Sequence, residues 1–70
     1  MTEDKAKICR AFCEALKLTR AGENLTTIQY IEEENKETVL LVFNEKCYIE
    51  VDVTADSGIA MMKDILRALN

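Results

Sequence analysis

Thr38 to Val53, TVLLVFNEKCYIEVDV, decides the fold. Its first six residues are an unbroken run of aliphatic, β-branched and aromatic types. Its last seven alternate strictly, with Cys47, Ile49, Val51 and Val53 set against Tyr48, Glu50 and Asp52. Period two is the signature of a strand with one wet face, and a run that is apolar at every position is that of a strand covered on both. Asn44-Glu45-Lys46 between them forms a three-residue turn, too short for a parallel crossover. The two strands are therefore antiparallel, with 38–43 the more central.

Upstream, 26–32 (TTIQYIE) is a third strand-like run, and Asn35-Lys36 is the turn that joins it to 38–43, Asn being the non-Gly residue that best accepts left-handed geometry. The result is a three-stranded meander. With these two turns, Ile28, Tyr30, Val39, Leu41, Phe43, Cys47, Ile49 and Val51 share one face, and Thr27, Gln29, Ile31, Leu40, Val42, Tyr48, Glu50 and Asp52 share the other.

Helical patterns flank the strands. From Thr2 to about Arg20, Ile8, Cys9, Phe12, Cys13 and Leu16 form one stripe, opposite Lys7, Arg10, Glu14 and Lys17. Thr2 is the expected N-cap, Glu3 and Asp4 complement the helix dipole, and Gly22, read at positive φ, supplies the stop. After the capping stretch Thr54-Ala55-Asp56-Ser57 a second helix runs to about Leu69. Ile59, Met62, Ile65, Leu66 and Leu69 are its expected core stripe. Met61 and Ala68 widen its apolar arc to half the circumference, which marks a flank open to a partner. The predicted architecture is a single α+β domain over 1–70, helix, three antiparallel strands, helix, with both helices on one sheet face.

That arrangement leaves Ile31, Leu40, Val42 and Tyr48 as an apolar patch on the open face. A 70-residue chain buries only about 60% of the surface its unfolded form exposes, so association is a natural support. The expected interface is Ile31, Leu40, Val42 and Tyr48, with Met61 from the second-helix flank. The expected partner is a second copy or another protein.

Composition removes several chemistries. The chain has no His, and with it go the commonest general base and the commonest zinc ligand. Cys9, Cys13 and Cys47 are three, short of a four-ligand structural zinc site and without a CxxC motif, so they read as core thiols of a reducing cytosol. No apolar signal-peptide core precedes them, and no run is long enough to span a bilayer. Asp52, Thr54 and Asp56 alternate as the start of a calcium loop does, but Ser57 stands where the sharp-turn glycine belongs and Lys63 where the bidentate glutamate belongs. Ser57, the one serine, reads as a helix cap rather than a nucleophile. Glu32-Glu33-Glu34 with Glu37 reads as a solvated hairpin tip. No catalytic residue, cofactor or metal is expected.

The net charge of −4 is unevenly spread: Leu25 to Asp56 holds eight acids against Lys36 and Lys46. An acidic middle repels phosphate backbones, so nucleic acid is the lesser expectation, through Lys5, Lys7, Arg10, Lys17 and Arg20 of the first helix. The order of elements is similar to that of double-stranded-RNA-binding domains, in which lysines at the start of the second helix grip phosphates. Here that stretch is Gly58-Ile59-Ala60-Met61-Met62-Lys63, with one lysine and two methionines, so the resemblance implies topology without that grip. Phe12-Cys13-Glu14-Ala15-Leu16 followed by acidic strands also resembles small acidic secretion chaperones, which implies a dimeric binding module rather than an enzyme. The expected function is a cytoplasmic, non-enzymatic interaction domain, and the alternative is a nucleic-acid-binding domain of double-stranded-RNA-binding-like topology that uses the basic residues of the first helix.

Overall fold

A computed structural model describes residues 4–44 and 47–69. Its elements are α1 (Lys5–Leu16), β1 (Thr27–Glu33), β2 (Lys36–Asn44), β3 (Cys47–Asp52) and α2 (Gly58–Leu69). The strands form one antiparallel sheet in the order β1-β2-β3. This is the expected α+β meander between two helices.

The β2–β3 register pairs Leu41 with Ile49 and Val42 with Tyr48, the register expected for that hairpin, but Asn44 belongs to β2 and pairs with Cys47 rather than opening the turn, which the strand accommodates by an irregularity between Val42 and Asn44. The first hairpin differs. Glu33 pairs with Lys36, so the two-residue turn is Glu34-Asn35 and not Asn35-Lys36. The pairing thereby moves by two residues, one full side-chain period, and each side chain keeps its face.

Ile28, Val39 and Leu41, all of one sheet parity, form a single buried cluster with Cys9, Cys13 and Leu16 of α1, Met61 and Ile65 of α2, and Leu25 and Val53 from the connections. The core thus lies on that face, and both helices contribute to it. Cys47 and Ile49 share the parity yet stay exposed, because α1 packs chiefly on β1 at the opposite edge.

The cap of α1 is Asp4, whose Oδ1 accepts from the Lys7 N–H at 3.1 Å; Thr2 and Glu3 lie outside the described residues. The helix ends at Leu16, one turn short of Arg20. There the Thr19 hydroxyl and N–H both donate to the Leu16 carbonyl, at 2.7 and 2.9 Å, drawing the chain out of the helix. Gly22 does not have a positive φ. Its role is close approach: a Cβ there would stand 2.3 Å from the Leu16 carbonyl oxygen.

Ser57 caps α2, its Oγ accepting from the Ala60 N–H at 3.1 Å. The helix is rotated from the expected stripe. Met61 and Ile65, at i and i+4, are fully buried, whereas Ile59 is 60% and Leu66 43% exposed. Met61, expected at an interface, is therefore a core residue. Half the circumference of α2 is apolar, so pattern alone fits several rotations. The selected one buries Gly58, and Met61 Sδ there lies 3.9 Å from the Cys9 thiol.

Candidate interaction surface

The open sheet face is built in three cross-strand rows. Thr27, Val42 and Tyr48 make one, Gln29, Leu40 and Glu50 the next, and Ile31, Thr38 and Asp52 the third. Four of the expected contact residues, Ile31, Leu40, Val42 and Tyr48, occur on this face together. Tyr48 is 67% and Ile31 37% exposed. Leu40 and Val42 on the central strand are half-buried by their neighbours. Thr38, on the same face, is buried between Ile31 and Asp52. Glu50 and Asp52 on β3 give the patch an acidic border on one side.

On the helix face, Glu37 is the densest polar contact. Its Oε2 accepts from Lys5 Nζ at 2.6 Å and from the Tyr30 hydroxyl, and its Oε1 accepts from the Ala55 N–H at 2.9 Å. Its own N–H donates to Thr54 Oγ1 at 3.1 Å, and its carbonyl accepts from the Val53 N–H at 3.0 Å. One residue of β2 therefore ties together the start of α1, β1 and the turn into α2. Glu37 is not part of a solvated tip; its parity with Val39 and Leu41 was the available signal that it faces the helices. Ala55, held by this carboxylate, has φ 64°, a left-handed conformation that costs a non-glycine residue about 1–2 kcal/mol.

The titrations of this knot point to structure rather than chemistry. Hydrogen bonds from Lys5, Tyr30 and the Ala55 amide hold Glu37 down to about 2. Partial burial, then the bond to Glu37, pushes the Tyr30 hydroxyl above its ordinary range. A general base or acid works with a pKa near the operating pH, and both groups are displaced away from it. Nearby, Asp56 is raised from its ordinary value by its hydrogen bond to Asp64 and by burial, and its Oδ2 is buried without a partner.

These shifts carry opposite signs in stability. The Glu37 contribution is present above its unfolded value near 4.5 and is lost as pH falls toward 2, whereas the proton held by Asp56 stabilises below about 3.8 and is lost as pH rises through the higher folded value. Asp56→Asn, which keeps a donor toward Asp64 without charge, is expected to raise Tm at pH 7 and to change it little at pH 3. Glu37→Gln is expected to lower Tm at pH 7, with the deficit shrinking below pH 4.5. Thermal melts by circular dichroism across that range check both.

Cys9 and Cys13 are buried and Cys47 is exposed; burial, then the neighbouring Cys13, pushes the Cys9 thiol up to about 11. Among the described residues no three His, Cys, Asp or Glu side chains gather as a metal site requires, and no helix is long and apolar enough to cross a membrane. The basic side of α1 is partly engaged, Lys5 with Glu37 and Lys17 with Glu14 at 3.6 Å. The chain matches no known protein family, no curated protein and no solved structure.

Proposed function

We propose that the chain is a non-enzymatic, cytoplasmic protein-interaction domain that self-associates through the open sheet face. The observation that carries this reading is the meeting of Tyr48, Val42, Leu40 and Ile31 on the sheet face opposite the core. Fully burying a large aliphatic side chain contributes on the order of 1.5–3 kcal/mol. Leu40 and Val42 are already half-covered, so most of the remaining gain comes from Tyr48 and Ile31 at the two ends of the patch. Glu50 and Asp52 fit the polar rim of such a contact. The buried Cys9 and Cys13 suit a reducing compartment.

Light scattering coupled to size exclusion tests the reading. Wild type is expected to elute as a dimer and Leu40→Glu as a folded monomer, because a charge at the patch centre is desolvated only at a cost of several kcal/mol. A monomeric wild type at high concentration, or a dimer unchanged by Leu40→Glu, overturns it.

A further inference from the structure

We propose that the free edge of β1 accepts an extended, acid-bearing segment of another protein as a fourth strand. This surface adjoins the open-face contact, with which it shares Ile31, and extends from there to the helix side of β1. An open groove of about 390 Å³ runs along it, with Thr27, Ile28, Gln29, Tyr30 and Ile31 as one wall and Ala6 and Arg10 of α1, one helical turn apart, as the other. Five consecutive residues of an edge strand beneath a helix make a slot of strand shape, about 17 Å long at the usual rise per residue. Such an edge offers alternate N–H and C=O groups to an incoming chain.

Two usual defences of an edge are missing along the groove. Thr27–Ile31 holds no proline and no charged residue, the two charges of β1, Glu32 and Glu33, lying beyond it, and its register with β2 runs without a bulge from Thr27 to Glu33, whereas the β2–β3 pairing is irregular. Ala6 narrows the helix wall and keeps the slot open.

Charge and sterics select the occupant. Arg10 is the one cation lining the groove, is exposed, and has no ion pair among the described residues. An acid on the helix-facing side of the added strand meets it there. A second copy fits poorly, since pairing β1 with β1 would set the strands about 4.8 Å apart and bring the two α1 helices over the same place, where packed helices need about 8–10 Å between axes. A lone extended segment brings no helix.

Selection of a displayed random-octapeptide library on the whole protein tests this, followed by anisotropy titration of the enriched peptides. The expected peptides carry an acid within alternating β-branched or aromatic residues. Arg10→Glu, checked for folding by circular dichroism, is expected to weaken them at least tenfold, and replacing the peptide acid with lysine to restore binding to that variant. Backbone amides of 27–33 gain exchange protection in the complex. No enrichment over a control protein, equal binding to Arg10→Glu, or protection elsewhere overturns the proposal. The Arg10→Glu readout belongs to the helix side of the groove, away from the open face, and Leu40→Glu, on β2, reports the open-face contact separately.

Discussion

Met61→Ala is expected to destabilise the domain by about 2–5 kcal/mol, the range for truncating a fully buried large aliphatic side chain, while Ile59→Ala changes stability by less than about 0.5 kcal/mol. Both residues belong to the apolar arc of α2, and a reading of pattern alone puts Ile59 in the core and Met61 at its margin. The structure ranks them the other way, with Met61 fully buried against Cys9 and Ile59 60% exposed. At roughly 0.05–0.15 kcal/mol per residue, a domain of this size holds only about 3.5–10 kcal/mol in all, so the loss is a large share of its stability. Urea unfolding of the pair, with m unchanged and only the midpoint moved, reads out the rotation of the helix directly. If Ile59→Ala costs more than Met61→Ala, α2 is turned the other way and the core assignment fails with it.

What the sequence discloses depends on the period of each element. The strands were legible because period two distinguishes the faces, and the misplacement of the first turn did no harm: a shift of two residues returns every side chain to its own side, so Ile28, Val39 and Leu41 still reach the core. The stripe of α1 was legible for a related reason. Its apolar residues are narrow enough in arc that only one rotation buries Cys9, Cys13 and Leu16 together. In α2 the arc is too broad for that, and the choice is made by contacts distant in sequence.

The same distance hides the polar knot. Glu37 lies next to a run of glutamates in sequence, yet its carboxylate is held by Lys5, 32 residues earlier, and by Ala55, 18 residues later. No local propensity predicts a left-handed alanine; the cost at Ala55 is offset by a hydrogen bond from its own amide to that carboxylate. The open face lies between these extremes. Its four side chains share one side by strand parity alone, whereas the place of Met61 depends on a helix rotation that the broad apolar arc of α2 leaves open.

Gly22→Ala is the second substitution with a large expected effect, about 1–3 kcal/mol or more of destabilisation, as for added volume in a packed site. The reason differs from that of an ordinary helix-stopping glycine. There an alanine costs about 1 kcal/mol for adopting positive φ, but Gly22 has no such angle. Instead the new Cβ would lie 2.3 Å from the Leu16 carbonyl oxygen and 2.6 Å from its carbon. These are backbone atoms, and that oxygen already accepts two bonds from Thr19, so it cannot swing aside as a flexible side chain would. Relief requires the 17–24 connection to open, which strains the Gly22 N–H bond to Thr19 Oγ1 at 3.2 Å and the Leu25 N–H bond to the Gly22 carbonyl at 2.9 Å. Leu25 belongs to the core cluster, so the disturbance reaches the helix–sheet interface. Hydrogen exchange on Gly22→Ala is therefore expected to show lost protection at Leu25 and at Thr19 together with a lowered urea midpoint. An unchanged midpoint would mean that the connection does not approach Leu16 as closely as the geometry requires.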